Sequence, residues 1–332
     1  MRDQSLIGPW VRRFLLEHLV TDRNLARNTR LSYRDTLVLL LPFMSKAREK
    51  AVDRLTIDEL SPSVVRSFLE YLEKERGCGG ATRNLRLATI HSLAKFIGMH
   101  SPEHVAWCAE VRAIPFKKTA KSTLTYLDKP EMDALLKAPD LGMSLGMRDY
   151  ALLLFLYNSG ARADEAAHLR VGDITWGSSP AVRLVGKGNK TRWCPIWPRT
   201  ADILKSLVAG RASEDLVFLN RLHQPLTRFG IYSLVRRAVA QAIKALPSLS
   251  AKRISPHCLR HACAVHLLRS GADINTIRAW LGHVSLDTTN IYAEVDLEMK
   301  AKALAHCDLP TEVATRKPWH RDPGLIGFLK AL

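Results

Sequence analysis

The sequence predicts a mainly α-helical protein of two domains, with a small antiparallel β-hairpin in the second domain. The 332 residues are enough for two domains, and their 47% hydrophobic content can supply real cores. Apolar residues recur at helical spacing through most of the chain. The exception is residues 181–196, AVRLVGKGNKTRWCPI, where a glycine-rich turn separates two runs that are typical of a hairpin.

Residues 1–114 are predicted to form the first helical domain. Pro9 and Pro62 fit the first turns of two of its helices, because proline is favoured at the first helical position. A further helix is predicted from Thr82 to Gly98, after a glycine-rich break. Its expected apolar face consists of Leu85, Ile90, Leu93 and Phe96.

Residues 115–128 are predicted to be a basic linker, and residues 129–308 the second domain. Before the hairpin, this domain is expected to form helices at KPEMDALLKAP, RDYALLLFLYNSG and ADEAAHLRVGDI. Two helical domains that are joined by a basic linker suggest a C-shaped clamp around a DNA duplex. Residues 309–332 form a tail whose apolar end, from Leu325 onward, is expected to dock on a neighbouring protomer.

The chain is strongly basic, with 49 Lys and Arg against 32 Asp and Glu and a net charge of +17. Such a charge favours a polyanionic partner, with nucleic acid first and an anionic membrane surface or simple solubility as the alternatives. For any single arginine of the first domain, a solvated helix face is the better explanation. As a group, five basic residues are candidates for contacts with DNA phosphates: Arg83, Arg86, Lys117, Lys118 and Lys121.

The six cysteines include no C-x-x-C pair, which predicts reduced thiols rather than a disulfide framework. The N-terminal residues are too polar for a signal peptide, and the longest apolar run, at 37–44, is too short to span a bilayer. We therefore expect a cytoplasmic, nucleoid-associated protein without a membrane partner.

The stretch SPHCLRHACAVHLLRSG, at 255–271, concentrates histidine, cysteine and arginine, and the first two suggest a zinc site. A helix turns by about 100° per residue, which places His257, Arg260 and His261 on one face and the other candidate ligands elsewhere. Four ligands on opposite faces of one helix cannot meet at one ion. The shared face is instead a set of donors suited to an anion such as a phosphate, and we expect no metal.

Two further motifs contain candidate functional residues. NSGARADEAAHL, at 158–169, has Arg162 near a helix start, and AWLGHVSLDTTNIYAEVD, at 279–296, contains His283 and Tyr292. Taken singly, each residue has an ordinary alternative: an ion pair for Arg162, a helix cap for His283 and core packing for Tyr292.

Taken together and in order, these motifs resemble those of the tyrosine recombinases, the group of phage integrases and Xer-like recombinases. The resemblance covers roughly residues 129–300, and the helical block before it resembles the family's core-binding domain more loosely. It is carried by G-x-R-x-x-E at 160–165, GKGNKTR at 186–192, H-x-L-R-H at 257–261, LLRSGADINTIRAWLGH at 267–283 and T-T-x-x-Y at 288–292. One departure is Ala262-Cys263, where the family more often has a Thr-Phe-like pair; we interpret it as a packing variant.

The resemblance implies a site-specific DNA recombinase that uses no metal, ATP or other cofactor. Tyr292 is the implied nucleophile, and its attack on a phosphodiester gives a 3′-phosphotyrosine and a free 5′-hydroxyl. Arg162 and Arg260 are the implied phosphate clamp, because a guanidinium is planar, permanently charged and bidentate.

The remaining implied roles concern hydrogen bonds and protons. His257 and His283 would donate hydrogen bonds to the phosphate, and His257 is also placed for proton transfer with the nucleophile. Lys187, in the hairpin turn, would protonate the leaving 5′-oxygen, with Lys190 as the rival for this role.

The implied partners are double-stranded DNA with inverted half-sites and other protomers, as a dimer on each site and a synaptic tetramer, or other recombinases. A core-binding block that starts within ten residues of Met1 favours a simple core-site enzyme, with integration or excision of a mobile element as its role. The alternatives are a type IB topoisomerase, which would not join two DNA molecules, a binding module with an inactive site, and a zinc protein.

Overall fold

The structure of the chain is a computed structural model that describes residues 5–119, residues 124–282, Thr289 and Tyr292. The chain divides into two units, 1–122 and 123–332, and this division falls inside the stretch predicted to be the linker. Four predictions concern positions outside the described part: those for Lys121, the side chain of Lys187, His283 and the tail at 309–332.

The first unit is helical in its described part. It contains α1 (Ile7–Arg13), which continues as a wider π-type helix over Phe14–Asp22, then α2 (Arg27–Arg48), α3 (Pro62–Lys74), α4 (Gly80–His100) and α5 (Val105–Arg112). The positions predicted for Pro9 and Pro62 are confirmed, since each lies in the first turn of its helix. In the core, the Phe96 ring of α4 lies 6.2 Å from Trp10 and 5.7 Å from Phe14, between ring centroids.

One prediction for α4 is wrong in detail. The helix is longer than expected by two residues at each end, and Leu85 is 49% exposed. Leu85 lies five residues before Ile90, which is about 140° around a helix. The buried face instead runs through Leu87, Ile90 and Ala94, at the spacing of three and four residues that one helix face requires.

The second unit combines helices with a small sheet. Its elements are α6 (Lys129–Lys137), α7 (Ser144–Ser159), α8 (Ala163–Ala167), β1 (Ile174–Thr175), β2 (Ala181–Val185), β3 (Thr191–Pro195), α9 (Pro198–Leu207), α10 (Arg228–Ala245), α11 (Pro256–Arg269) and α12 (Ile274–Leu281). The start of α6 is fixed by a reciprocal pair of bonds, in which the side chains of Asp128 and Glu131 each accept from the other's backbone N–H.

The sheet is antiparallel, in the order β1-β2-β3, and it confirms the predicted hairpin of β2 and β3. The strand β1 was not predicted, because two residues are too few to show an alternating pattern. The helix predicted for ADEAAHLRVGDI is only partly correct, since α8 ends at Ala167 and a 3₁₀ turn at Val171–Asp173 leads into β1.

Helix α7 is the central element of the second unit, and almost every side chain from Tyr150 to Ser159 is buried. It ends at Gly160, so that Arg162 lies at the start of the next helix. Helix α11 packs along α7 and carries His257 and Arg260, whereas Arg162 follows shortly after the end of α7. Among the helices in the described part of the chain, none combines the length and the apolarity needed to cross a lipid bilayer.

Candidate active site

Arg260 lies on α11 and is buried at 3% exposure. Its Nη1 donates to the carbonyl oxygen of Gly160 at 2.5 Å, and its Nη2 donates to that of Leu281 at 2.6 Å. Burial, followed by the positive charge of Arg162, lowers the pKa of Arg260 to about 10. The group therefore stays charged at neutral pH, and two backbone carbonyls fix its orientation.

Arg162 occupies the N-cap position of α8, where its backbone N–H donates to Glu165 Oε2 at 2.8 Å. Its Nη1 also donates to Glu165 Oε1 at 2.7 Å, and about a third of the side chain, 32%, is exposed. The charge of Arg162 acts on Arg260 strongly enough to lower the pKa of that group. Two cations held this close favour an anion between them, as the sequence predicts.

Sequence reasoning gave Glu165 only as a possible ion-pair partner of Arg162 and gave Arg192 no role of its own, yet Glu165 contacts Arg162, and Arg192 contacts Glu165 and the end of α12. Both oxygens of Glu165 accept from the guanidinium of Arg192, at 3.0 and 2.8 Å. Burial alone would raise the pKa of Glu165, but the hydrogen bonds and charge of Arg192 outweigh burial and, with the bonds from Arg162, lower it. The available signal was the capping-box spacing, in which a glutamate lies three residues after the N-cap.

Tyr292 is buried at 1% exposure, and its hydroxyl lies 3.0 Å from Nδ1 of His261. Burial raises the pKa of Tyr292 to about 12, although the nearby charges of Arg260 and Arg162 act in the opposite direction. The phenol is therefore protonated at neutral pH and needs a proton acceptor before it can act as a nucleophile.

His261 is a side chain in contact with this phenol, and its lowered pKa makes it a weak base. Burial, followed by the neighbouring His257 and Arg260, lowers the pKa of His261 to about 4, so the ring is neutral at pH 7. Sequence reasoning placed His261 on the predicted face of α11 but gave it no separate role. Its contact with Tyr292 spans 31 residues of sequence and could not be predicted from a helical pattern.

The structure also describes three further predicted positions of the second unit: His257, Lys190 and the backbone of Lys187. His257 is largely exposed on α11, and partial burial of its ring, followed by the charges of Arg260 and Arg162, lowers its pKa. The backbone of Lys187 lies in the turn between β2 and β3. Lys190, the rival, is exposed, and its carbonyl accepts from the N–H of Gly186 at 2.8 Å.

Two arginines of α4 that were candidates for DNA contacts bind within the first unit. Arg83 is only 7% exposed, and its Nη1 donates to the carbonyl oxygen of Pro115 at 3.2 Å. Arg86 is partly buried and donates to the Thr36 hydroxyl at 3.0 Å. These bonds give both arginines a structural role in the folded unit, and phosphate contacts through them stay a prediction.

The lysines near the end of the first unit are exposed. Lys117 pairs with Glu73, with its Nζ 2.7 Å from both carboxylate oxygens. Lys118 is exposed, and its contact with a DNA phosphate stays a prediction.

Within the part of the chain that the structure describes, no group of three or more His, Cys, Asp or Glu side chains is placed to hold a metal ion. Cys258 and Cys263 of the α11 stretch are buried, and both belong to the core of the second unit.

We expect the unfolding free energy of His261→Gln to fall less steeply than that of wild type as the pH decreases below 6.5. The pKa of His261 lies at about 4, below the 6.5 of an ordinary histidine, so the unfolded chain binds the extra proton between these values. The stability contributed by the neutral ring is complete above pH 6.5 and is lost as the pH falls to about 4. The variant should therefore lose about 1–2 kcal/mol less than wild type between pH 6.5 and 4, measured by urea unfolding.

His168→Gln is the matched control for this measurement. The His168 side chain is 74% exposed, so its solvation changes little on unfolding. Its curve should follow that of wild type. Parallel curves for wild type and His261→Gln would contradict the buried, neutral state of His261.

Comparison with known proteins identifies relatives over nearly the whole chain. Residues 125–299 match the sequence model of the Phage integrase family, and residues 12–98 match that of the Phage integrase, N-terminal SAM-like domain. The chain is 34% identical to integrase/recombinase y4rC of Sinorhizobium fredii, over 100% of both chains. It is 30% identical to the tyrosine recombinase XerD of Yersinia pestis, over 88% of this chain and 94% of that one.

Solved structures with the same fold include the Tn1549 transposon integrase in complex with a circular intermediate DNA. Its TM-score is 0.67 at 16% identity, over 89% of this chain and 99% of that one. The XerH site-specific recombinase bound to palindromic difH substrate gives a TM-score of 0.63 at 20% identity, over 85% and 81%. At these identities the likeness establishes the fold.

Proposed function

The chain belongs to the phage integrase family and is a tyrosine recombinase, and from this premise we propose that Tyr292 is the nucleophile that cuts and rejoins DNA. One observation carries the assignment. The buried Tyr292 hydroxyl lies 3.0 Å from Nδ1 of His261, the residue that follows the buried Arg260 on α11, and the charges of Arg260 and Arg162 act on the pKa of that hydroxyl. A phenol beside a two-arginine anion site is the arrangement that attack on a phosphodiester requires.

The proposed reaction transfers the 3′-phosphoryl group of one DNA strand from the 5′-oxygen to Tyr292. The Tyr292 oxygen attacks the phosphorus, the bond from phosphorus to the 5′-oxygen breaks, and the 3′-phosphate becomes an ester of the tyrosine. Arg162 and Arg260 hold the two non-bridging oxygens, whose charge increases in the transition state. In the second half-reaction the 5′-hydroxyl of another strand attacks the phosphotyrosine and releases the tyrosine. The bond energy is kept in the adduct, so no ATP is consumed.

Proton transfer from Tyr292 is proposed to involve the histidines of α11. His261 contacts the hydroxyl at 3.0 Å with a neutral ring and is proposed to orient the phenol, since its lowered pKa makes it a weak base. His257 is proposed as a phosphate ligand that also takes part in this proton transfer, as the family resemblance implies. His283 is proposed as a further hydrogen-bond donor to the phosphate.

The proposed substrate is double-stranded DNA with inverted half-sites, bound by a dimer on each site and a tetramer on two sites. The palindromic substrate of the XerH neighbour and the dimer of the lambda integrase on its core site support this assembly. The net charge of +17 supports binding to the DNA backbone. The transposon integrase among the structural neighbours supports a role in moving a mobile element.

Covalent trapping tests the proposed function. Purified protein is mixed with nicked duplexes that tile the DNA flanking its gene, because loss of a short cleaved fragment prevents religation. We expect a DNA-linked protein band on a denaturing gel, with the nucleotide attached to the peptide that contains Tyr292. A band attached at another residue would overturn the assignment.

The same assay separates a recombinase from a type IB topoisomerase. Two duplexes of different length, each carrying the trapped site, are incubated together. Joined products of intermediate length indicate a recombinase. Relaxation of a supercoiled circle without any joined product would indicate the topoisomerase.

We expect Lys187→Ala to slow cleavage by about 10²- to 10³-fold, because the leaving 5′-oxygen then lacks its proton donor. In a substrate with sulfur in place of that oxygen, the 5′-thiolate leaves without protonation. On this substrate the cleavage rate of the variant should recover to within a few fold of the wild-type rate. The measurement is the rate of adduct formation on both substrates.

Lys190→Ala is the matched comparison, because Lys190 lies three residues further along the same turn. Its cleavage rate should stay close to that of wild type on both substrates. Rescue by sulfur in Lys190→Ala and not in Lys187→Ala would assign the proton donor to Lys190 instead.

A further inference from the structure

Arg192 of β3 joins two parts of the site that are far apart in sequence. Its Nη1 and Nη2 donate to the two carboxylate oxygens of Glu165, and its Nε donates to the carbonyl oxygen of Trp280 at 2.8 Å. The side chain is 10% exposed, so these bonds are protected from water. One rigid guanidinium therefore links the start of α8 to the end of α12.

On one side of this link, Glu165 contacts Arg162 and lies close to the β2–β3 turn. Its Oε1 accepts from Arg162 at 2.7 Å, as well as from Arg192. A Cβ added at Gly186 would lie 3.1 Å from the same oxygen, so glycine allows the β2–β3 turn to approach the carboxylate closely. Lys187 is the next residue after this contact.

On the other side of the link, the end of α12 is held by two arginines. Arg192 binds the Trp280 carbonyl, and Arg260 binds the carbonyl of the next residue, Leu281. Gly282 follows in the left-handed conformation, with φ +66°, and a Cβ there would lie 3.0 Å from Cδ of Arg192. Gly282 therefore packs closely against the Arg192 side chain, and His283 is the next residue in the sequence.

We propose that Arg192 is a positioning residue that fixes the phosphate clamp, the hairpin turn and the end of α12 relative to one another. It does so without touching DNA, and this role rests on the proposed function. Glu165 between two guanidiniums holds Arg162 in one orientation, because each of its oxygens is fixed from two sides. Without Arg192 the carboxylate is buried beside a single cation and pulls Arg162 out of the phosphate site. The end of α12 also loses one of the two bonds that fix it.

Arg192→Lys tests this role, because lysine keeps the charge but cannot make three bonds in a planar fork. Arg183→Lys is the matched control. Arg183 lies on the adjacent strand β2, opposite Trp193, and also binds a carboxylate through two nitrogens, that of Asp173. Neither Arg183 nor Asp173 makes a described contact with the proposed catalytic residues, and the Arg183 side chain is 48% exposed.

The first readout does not depend on activity. Amide hydrogen exchange is measured over residues 278–282 in wild type and both variants. Arg192→Lys should exchange there about tenfold faster than wild type, whereas Arg183→Lys should match wild type. Equal exchange in all three proteins would overturn the link to α12. This result stands even if wild type forms no DNA adduct, a failure that would concern the proposed function alone.

The second readout is the rate of adduct formation on the trapping substrate. Arg192→Lys should cleave about 10- to 100-fold more slowly than wild type while binding DNA equally well, because only the orientation of the clamp changes. Its melting temperature is compared with that of Arg183→Lys, so that a general loss of stability is recognised. A DNA affinity that falls in proportion to the cleavage rate would overturn a positioning role.

A double-mutant cycle tests the route through the carboxylate. If Arg192 acts through Glu165, Arg192→Lys should slow cleavage by no more than about twofold in a Glu165→Gln background. If the two substitutions instead multiply their separate effects, the route through Glu165 is overturned.

Discussion

Tyr292→Phe is expected to abolish the covalent DNA adduct and to leave DNA affinity unchanged. Only the hydroxyl is lost, and the aromatic ring keeps its place in the small cluster formed with α11 and α12. Removing a nucleophile costs on the order of 10⁴-fold or more in rate. Loss of the hydrogen bond to His261 should lower the unfolding free energy by about 1 kcal/mol. Adduct formation, DNA binding and urea unfolding are measured on the same preparation.

The chain contains a close structural match for use as the control. Tyr157 of α7 is also buried, at 6% exposure, and its hydroxyl lies 2.7 Å from Nδ1 of His266, another histidine of α11. Burial raises the pKa of Tyr157 to about 12, as it does for Tyr292. Tyr157→Phe thus removes an equivalent hydroxyl outside the proposed phosphate site, and its adduct should form at close to the wild-type rate.

The two tyrosines can therefore be told apart only by what surrounds them. Cys263 acts on the pKa of both tyrosines, but the charges of Arg260 and Arg162 act on that of Tyr292, whereas Asp133 acts on that of Tyr157. A wild-type adduct level in Tyr292→Phe would contradict the assignment. Loss of the adduct in Tyr157→Phe alone would transfer the role to α7.

The sequence predicted those parts of the fold whose signals act within a few residues. Pro9 and Pro62 mark helix starts because proline's fixed φ and missing N–H suit that position. The hairpin of β2 and β3 was predictable because its turn and both runs are contiguous. The strand β1 was not, because two residues form a strand only when β2 is already present to pair with them.

The same distinction applies to the candidate site. The motifs assigned Arg162, Arg260 and Tyr292 to one site, because a family resemblance summarises a tertiary arrangement. The charges of both arginines act on Tyr292 in the structure, and the catalytic roles of all three stay predictions. Sequence reasoning gave no role to Arg192, whose partners lie 27 and 88 residues away in the chain. Arg83 was proposed as a phosphate contact only as one of a group of basic residues. The structure buries it against Pro115, which the sequence did not predict, and its contact with DNA stays a prediction.

Arg260→Lys is expected to have the second largest effect, because it removes a clamp residue and a structural tie together. A lysine at this position has only one nitrogen and cannot place donors on two separated carbonyls. Arg260 binds the carbonyls of Gly160 and Leu281 through two nitrogens and keeps further donors for an anion. We expect cleavage to fall by about 10²- to 10³-fold. We also expect the unfolding free energy to fall by about 2–4 kcal/mol, because a buried carbonyl loses its partner.

Arg269→Lys is the matched control, since Arg269 lies nine residues further along the same helix with an exposed side chain. It should cleave DNA at close to the wild-type rate and unfold within about 0.5 kcal/mol of wild type. To separate catalysis from folding, adduct formation by Arg260→Lys is measured at a temperature where urea curves show more than nine tenths of it folded. Wild-type cleavage under that condition would mean that Arg260 only ties α7 to α12. A loss of cleavage in the folded variant that exceeds the about 10- to 100-fold expected for the positioning variant Arg192→Lys, with DNA still bound, supports a direct contact of Arg260 with the phosphate.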